Sequence, residues 1–322
     1  MTRSVLVVAH TGRPDARVSA TEVVRRLHDA DIHVRVLADE VVDLDSPGVQ
    51  CVSSPQRAAA GCELVIGLGG DGTLLRAAEA ARMTDTPVLG INLGHVGFLA
   101  EAESGALAQA VDSVVQRTWD VEERMTLDVT VRKDGEVTGR TWALNEASVE
   151  KASRQRMIEL VVEVDGRPLS RWGCDGVICA TPTGSTAYAF SAGGPVVWPQ
   201  VKALLVVPLS AHALFARPLV VAPESAVAVE VSARTRGHGV LWCDGRRTVD
   251  LVPGARIEIT RGVQPVRLAR LHQAPFTDRL VAKFDLPVEG WRGRAVARRA
   301  SAAGAPAVRA AGDDHGARPT PG

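Results

Sequence analysis

The chain has 322 residues, enough for two domains with substantial cores. Basic and acidic residues both number 37, so the net charge is zero, and we expect no nucleic-acid or membrane-surface partner. Five cysteines without a C-x-x-C pair, no signal-peptide pattern and no 18-residue apolar run predict a cytoplasmic protein with reduced thiols, and disfavour disulfide frameworks, zinc sites and membrane spans.

The first part of the chain is predicted to alternate strands and helices. Apolar stretches with the composition of buried strands lie at 4–9, 33–37, 64–68 and 87–92. Helical character is found over 21–29, 74–81 and 104–117. Apolar strands separated by helices are typical of a parallel sheet covered on both faces. We therefore expect a Rossmann-like α/β domain over residues 1–119.

After Trp119 the pattern changes to short strands of a different kind. They are predicted at 127–132, 160–164, 176–180, 226–232, 239–243 and 256–260. Asp-Gly pairs at 134–135 and 165–166 are typical of hairpin turns. We therefore expect an all-β domain, a β-sandwich, over residues 120–275. Residues 276–292, with a helix or extended segment at 276–284, are assigned to the first domain, and 293–322 to a disordered tail.

The most informative motif is the glycine-rich turn 67–73, Gly-Leu-Gly-Gly-Asp-Gly-Thr, between a predicted strand and a predicted helix. Such a turn directs backbone N–H groups and a helix N-terminus at phosphate. Its spacing satisfies the dinucleotide fingerprint G-x-G-x-x-G, but Asp71 adds a carboxylate that a bare pyrophosphate would repel. A carboxylate there needs a metal ion to bridge or a hydroxyl proton to accept. The turn therefore favours phosphoryl transfer over hydride transfer.

Two other interpretations of this turn remain open. Asp71 is an ordinary helix-capping residue in one of them, although Thr73 is an equal candidate for that role. Arg76, one turn into the helix, either reaches a phosphate or is a surface arginine. No lysine precedes Lys133, so a Walker-type P-loop is excluded and phosphate must be held by amides, arginine and metal.

Three further segments carry polar groups suited to a nucleotide. A second glycine turn follows Asn92 and contains His95, and its strand is predicted to end at the same sheet edge as the first turn. The pair Asn145-Glu146 suits an adenine edge or ribose hydroxyls, or is only a polar strand end. The segment 181–188, Thr-Pro-Thr-Gly-Ser-Thr-Ala-Tyr, offers hydroxyls and one aromatic ring, or is only a well-capped helix.

Together these segments resemble the NAD kinase family in its bacterial, actinobacterial form. The motifs that carry the resemblance are 69–73, 145–146 and 181–188 followed by Gly193-Gly194-Pro195, in the family's order and spacing. The resemblance covers residues 4–293. The first motif alone is shared with diacylglycerol, sphingosine and 6-phosphofructo kinases, and the other two are far more restrictive.

The resemblance implies Mg²⁺-dependent phosphoryl transfer from ATP, or polyphosphate, to the 2′-hydroxyl on the adenosine side of NAD, giving NADP. It implies that Asp71 is the general base and that Mg²⁺, or another divalent cation, is held largely by phosphates. It also implies a homodimer or homotetramer. The implied nucleotide-binding residues are Gly70, Gly72, Thr73, Arg76, Asn92, Asn145, Glu146, Arg156, Asp175, Thr186, Ala187, Tyr188, Ser191 and Asp244.

Several points stay open at this level. His95 stands where many relatives carry arginine, which puts a phosphate contact in doubt. The phosphoryl donor and the preference between NAD and NADH are not determined. Two other functions remain as alternatives: a kinase with the same glycine turn that acts on a lipid or sugar, and a non-catalytic NAD-binding regulator.

Overall fold

The structure is a computed structural model that describes residues 3–9, 14–38, 48–54, 57–93, 97–153, 156–235, 237–271 and 275–288. The first seven strands are β1 (Ser4–Ala9), β2 (His33–Leu37), β3 (Gln50–Val52), β4 (Leu64–Leu68), β5 (Val88–Asn92), β6 (Ala102–Glu103) and β7 (Asp120–Arg124). Three helices lie between them: α1 (Pro14–Asp29), α2 (Asp71–Arg82) and α3 (Leu107–Gln116).

The next part of the chain consists mainly of strands. They are β8 (Leu127–Lys133), β9 (Glu136–Ala143), β10 (Glu146–Lys151), β11 (Ile158–Val164), β12 (Arg167–Cys174), β13 (Gly176–Ala180), β14 (Leu204–Leu209), β15 (Leu219–Val221), β16 (Val227–Val231), β17 (Gly239–Cys243), β18 (Arg247–Leu251) and β19 (Ala255–Arg261). The short helix α4 (Tyr188–Ser191) precedes β14, and β20 (Val266–Arg270) and α5 (Phe276–Phe284) end the described chain.

The first sheet has the order β3-β2-β1-β4-β5-β20-β7, with β6 paired to β5. Its pairs are parallel except for β20 with β7. Residues of α1 and α3 share one apolar cluster with the sheet, and residues of α2 share another. This is the predicted parallel sheet with helices on both faces.

Helix α2 packs unusually close to its sheet because two strand glycines leave room for it. A Cβ at Gly67 would lie 2.6 Å from Leu74 Cδ2, and one at Gly90 would lie 2.8 Å from Leu74 Cδ1. Leu74 therefore fills the space that side chains on β4 and β5 would occupy. The close fit fixes the start of α2, and with it the glycine turn, against the sheet.

The second domain is a sandwich of two six-stranded antiparallel sheets. Their orders are β15-β14-β13-β10-β17-β18 and β12-β11-β16-β19-β8-β9, and both contribute to one apolar core. The predicted hairpin turns are confirmed: Asp134 and Gly135 have φ of 52° and 84°, and Asp165 and Gly166 have 52° and 72°. Positive φ at both central residues is the geometry that matches the twist of paired strands.

Strand pairing places two segments differently from the predicted division at residue 119. β7 and β20 fall within the range assigned to the β-rich domain, yet both belong to the first sheet. Their order in the sheet depends on pairing across more than 140 residues of chain, which local composition does not encode. Helix α1 also begins earlier than predicted, at Pro14, whose fixed φ suits a first helical turn. The predicted tail at 293–322 lies outside the described residues.

Helix α5 contacts both domains. Phe276 and Phe284 lie with ring centroids 5.8 Å from that of Phe98, which follows β5. In the second domain, Phe190 stacks on Phe284 at 4.7 Å and Trp198 meets Phe276 at 5.3 Å. The segment 276–284 is helical, and its aromatic rings pack against residues of both domains.

All five cysteines are free, and Cys174, Cys179 and Cys243 are buried. No helix among the described residues is long and apolar enough to cross a membrane.

A buried ion network anchors α5 to the first sheet. Glu101, 1% exposed, accepts bonds from Arg270 Nη1 at 2.8 Å and Arg279 Nη2 at 2.7 Å. Arg279 also donates to the carbonyls of Phe98 and Ala100. A buried carboxylate in such a network is costly to remove, because Arg279 then stays largely buried without a carboxylate partner, while Arg270 retains Glu122.

Replacing Glu101 by glutamine should lower the free energy of unfolding by about 3 kcal/mol or more. The expected loss arises mainly from Arg279, which loses its carboxylate partner, since Arg270 keeps Glu122 at 2.7 Å. Urea unfolding of the two proteins measures it. Glu22→Gln, which breaks an exposed ion pair on α1, is the control and should cost less than about 1 kcal/mol. Equal costs for both variants would contradict this account of the network.

Candidate functional site

The glycine turn lies at the point where the order of the first sheet reverses. β1 and β4 are adjacent, and the chain proceeds outward from them in opposite directions, to β2 on one side and β5 on the other. In open α/β sheets, ligands bind outside the carboxyl ends of the strands at such a switch point. Residues 67–73 end β4 and begin α2, so the turn occupies that position.

The backbone of this turn requires glycine. Gly69 has φ of 149°, and a Cβ there would lie 2.5 Å from Thr73 Oγ1. Gly70 is the N-cap of α2 and makes no side-chain capping bond. Asp71 is therefore the first helical residue and not a cap, and Thr73 does not cap the helix either. The capping interpretation of Asp71 and Thr73 is wrong, because the cap position falls on a residue without a side chain.

The carboxylate of Asp71 faces the segment that follows β5. Its Oδ1 accepts a long hydrogen bond, 3.4 Å, from the amide of Leu99. A Cβ at Gly97 would lie 2.5 Å from the same oxygen and 3.4 Å from Asn92 Nδ2. Asn92 is buried and, like Asp71, closely adjoins Gly97. Asp71 and Asn92 are thus brought together, as predicted from the common sheet edge. His95 lies outside the described residues.

A second group of site residues surrounds the sharp turn between β9 and β10, which carries Asn145 and Glu146. Asp244 Oδ1 accepts the amides of Asn145 at 2.7 Å and Glu146 at 3.3 Å, and Asp244 Oδ2 accepts the amide of Leu144 at 2.9 Å. Asp244 Oδ2 also accepts a bond from Arg247 at 2.7 Å. One carboxylate therefore fixes three successive backbone amides.

A nucleotide-binding role was predicted for Asp244, whereas the bonds that its carboxylate makes in the structure are to groups of the protein itself. Its side chain is 1% exposed within the chain, and its oxygens are directed to backbone amides and Arg247. It also has φ of 54° in a tight hairpin turn with Gly245. Within the chain these bonds position the pair Asn145-Glu146, and a nucleotide contact of Asp244 stays a prediction.

The segment 181–188 folds directly onto this turn. Thr181 Oγ1 donates to the carbonyl of Leu144 and accepts the amide of Gly184. A Cβ at Gly184 would collide with the carbonyl oxygen of Asn145. Residues Thr183–Thr186 form a 3₁₀ turn. Thr186 at its end and Ala187 after it are half-buried. The hydroxyl of Thr181 and the absence of a side chain at Gly184 therefore serve local packing, which leaves the end of the segment for a ligand.

Acidic side chains surround Tyr188 at the end of that segment. Its hydroxyl bonds Glu150, and burial together with Glu150, Glu146 and Asp175 raises the pKa of Tyr188. Lys151 Nζ lies 2.5 Å from Asp175 Oδ1 and lowers the pKa of Asp175. Tyr188 remains 38% exposed, so its ring is available for stacking.

Glu146 is the most perturbed carboxyl of the site. Burial, and then the negative charge of Asp244, raise its pKa to about 8, while the backbone amide of Tyr188 opposes the shift. Its Oε2 is buried and has no hydrogen-bond partner among the described residues. A buried polar atom of this kind is costly unless a ligand satisfies it.

The remaining predicted residues are less closely grouped. Arg76 is half-buried on α2, Arg156 is exposed on the connection between β10 and β11, and Ser191 is exposed at the end of α4. Sequence reasoning missed Glu150 as a site residue. Its signal was the period of two along β10, which places Glu146 and Glu150 on one face of the strand.

Comparisons with known proteins cover both domains. The chain matches family models described as the ATP-NAD kinase N-terminal domain over residues 5–119 and the ATP-NAD kinase C-terminal domain over residues 144–271. The chain belongs to the NAD kinase family. The resemblance found in the sequence is thereby confirmed, and the activity is that of an NAD kinase, a phosphotransferase.

Similar proteins cover nearly the whole chain. It is 62% identical over 305 residues to the NAD kinase of Thermobifida fusca (strain YX), covering 92% of this chain and 93% of that protein. It is 62% identical over 294 residues to NAD kinase 2 of Streptomyces avermitilis, covering 90% and 97%.

Two solved structures share the fold. Yeast NADH kinase complexed with NADH matches with a TM-score of 0.83 at 24% identity, over 89% of each chain. An NAD kinase from Archaeoglobus fulgidus in complex with ATP matches with a TM-score of 0.66 at 26% identity, over 88% of this chain and 98% of that one. The predicted combination of a parallel α/β domain and a β-sandwich is confirmed.

Gly97→Ala should lower kcat about tenfold or more, because the new Cβ displaces the carboxylate of Asp71. The protein should still fold, since the collision is with the end of a side chain. Gly105→Ala is the control, because a Cβ there meets nothing within 4 Å. Steady-state NADP formation measures both. Wild-type kcat in Gly97→Ala would contradict the placement of Asp71.

Glu146→Gln should change the pH dependence of stability. Between about pH 5 and pH 8 the folded wild type retains a proton on Glu146 that the unfolded chain has released, because the folded pKa is about 8. Wild-type stability should therefore fall as pH rises through this window, by up to about 1.4 kcal/mol per pH unit, relative to Glu146→Gln. Urea unfolding at several pH values measures the difference. A pH-independent difference would show that Glu146 titrates normally.

Proposed function

We propose that this member of the family transfers the terminal phosphoryl group of ATP to the 2′-hydroxyl of the adenosine ribose of NAD, with Asp71 as general base. The observation that carries the proposal is the carboxylate of Asp71 at the switch-point turn, beside Gly97 and the amide of Leu99. A carboxylate there repels a phosphate but accepts a proton from a hydroxyl. It is therefore placed to serve the acceptor rather than the donor.

The acceptor, NAD, is bound by the second domain, where Glu146, Glu150 and Asp175 surround Tyr188. The buried Oε2 of Glu146 lacks a partner among the described residues, and a ribose hydroxyl would satisfy it. Asn145 and Tyr188 adjoin it and suit the adenine edge and face, with Thr186, Ala187 and Ser191 beside Tyr188. Asp175, paired with Lys151, takes the nicotinamide side, and Arg156 contacts the dinucleotide.

The donor phosphates are bound by the glycine turn. Gly70 and Gly72 present backbone amides at the N-terminus of α2 to an anion. Thr73 offers its hydroxyl, because its amide donates to the carbonyl of Gly70, and Arg76 and Asn92 supply side-chain donors. The ATP complex of the Archaeoglobus fulgidus enzyme supports ATP as the donor. Polyphosphate remains a second donor to be tested.

A divalent cation fits this arrangement only in company with phosphates. Among the described residues, no group of three or more His, Cys, Asp or Glu side chains is placed to hold a metal ion. Mg²⁺ commonly binds through one or two carboxylates and substrate phosphates. Here the cation would be held largely by the phosphates, close to Asp71, and would neutralise charge on the donor phosphates.

The reaction then needs few protein groups. Asp71 accepts the proton of the ribose 2′-hydroxyl. The ribose 2′-oxygen bonds to the terminal phosphorus of ATP as the bond from that phosphorus to the leaving ADP oxygen breaks. The amides of the turn and Arg76 stabilise the developing charge. We further propose that the enzyme is cytoplasmic and acts as a homodimer or homotetramer.

Asp71→Asn should bind NAD with nearly wild-type affinity and lose about 99% of kcat, because the amide does not accept the hydroxyl proton. Purified protein is incubated with NAD, Mg²⁺ and either ATP or polyphosphate, and NADP is assayed. Calorimetric titration with NAD checks binding. Turnover of Asp71→Asn near that of the wild type would rule out the general-base role.

A further inference from the structure

The guanidinium of Arg247 lies between the two groups of site residues. Its Nη2 donates to Asp244 Oδ2 at 2.7 Å and to the carbonyl of Trp142 at 2.9 Å. Its Nη1 lies 3.3 Å from Glu79 Oε1. The two domains therefore meet at this side chain, which contacts a helix of the first and a turn of the second. Arg246 Nε adds a second ion pair there, 3.5 Å from Glu79 Oε2.

On the second-domain side, Arg247 acts through Asp244. That carboxylate accepts the amides of Asn145 and Glu146. Burial raises the pKa of Asp244, while the amide of Leu144 and the positive charge of Arg247 oppose that shift and favour the ionised form. Charge-assisted bonds to backbone amides are stronger than neutral ones, so the turn is firmest when Asp244 is ionised.

On the first-domain side, Arg247 acts through helix α2. Glu79 lies eight residues after Asp71 on this helix, about 12 Å along its axis at 1.5 Å per residue. The helix itself is fixed to the sheet by Leu74 and shares an apolar cluster with Leu144. A displacement at Glu79 is therefore transmitted to Asp71 by a rigid element.

A neighbouring arginine provides a natural comparison. Trp142 lies between two guanidinium groups, with Arg82 at 4.6 Å and Arg247 at 4.5 Å from the ring centroid. Arg82 pairs with Asp128 at 3.0 Å. It shares the stacking and the interface with Arg247, but its ion pair is with Asp128 and not with Asp244 or Glu79.

We propose that Arg247 is a positioning residue that holds the turn of Asn145 and Glu146 in register with Asp71. The proposal rests on the proposed function, since it concerns the alignment of the acceptor hydroxyl with its base. Loss of the link to Glu79 alone leaves the turn of Asn145 and Glu146 intact and disturbs only the alignment of the acceptor hydroxyl with Asp71. Loss of Arg247 weakens the turn as well as the alignment, because Asp244 then stays buried without its counter-charge.

The test compares three variants in NADP formation at saturating ATP, in calorimetric titration with NAD and in thermal unfolding. Glu79→Ala should lower kcat about 5- to 10-fold and leave the Kd for NAD within twofold. Arg247→Met should lower kcat at least as much and also weaken NAD binding. The matched control Arg82→Met should lower the melting temperature but keep kcat and Kd within twofold of wild type.

The double variant distinguishes a shared link from two separate effects. Glu79→Ala combined with Arg247→Met should lose little more kcat than Arg247→Met alone, because both variants remove the pair of Glu79 with Arg247, and Glu79→Ala adds only the loss of the 3.5 Å contact with Arg246. Wild-type kcat in Glu79→Ala would overturn the proposal, and so would a loss of kcat in Arg82→Met equal to that in Glu79→Ala. If Arg247→Met does not fold, the result for Glu79→Ala decides alone. Asp71→Asn in the same assay reports separately on the general-base role.

Discussion

The carboxylate of Asp244 is the constraint on which the acceptor side of the site depends. It accepts the amides of Leu144, Asn145 and Glu146, which would otherwise be buried at a sharp reversal of the chain. Buried amides without partners are costly, so the turn is stable only with this carboxylate behind it. The fold of 181–188 follows from it, because Gly184 packs on the carbonyl of Asn145. The perturbed carboxyl of Glu146 also follows, because burial and the charge of Asp244 act on it together.

The two domains supply chemically different halves of one site. The first domain presents backbone amides at a helix N-terminus, a surface suited to anions. The second presents carboxylates around an exposed tyrosine ring, a surface suited to hydroxyls and a base. Neither half suits both substrates of a phosphoryl transfer between nucleotides. The contacts between the domains, Leu144 against α2 and Arg247 between Glu79 and Asp244, therefore belong to the function as much as to the fold.

Local sequence predicted the parts of the structure whose causes are local. The glycine turn, the Asp-Gly hairpins and the strand-helix alternation follow from φ requirements and hydrophobic period. Apart from the earlier start of α1, they were found where predicted. The joining of β7 and β20 to the first sheet depends on distant pairing, and no local pattern encodes it. The same holds for the bonds of Asp244: the family resemblance implied a nucleotide contact, while the amides that its carboxylate accepts lie about a hundred positions away in the chain.

The central claim is that both halves act on one ribose hydroxyl, and a crystal structure of the enzyme with NAD tests it most directly. The account predicts the adenosine between Asn145 and Tyr188, a ribose hydroxyl bonded to Glu146, and the 2′-hydroxyl within about 3 Å of the carboxylate of Asp71. NAD bound with its pyrophosphate on the turn 67–73 and its 2′-hydroxyl far from Asp71 would contradict the account.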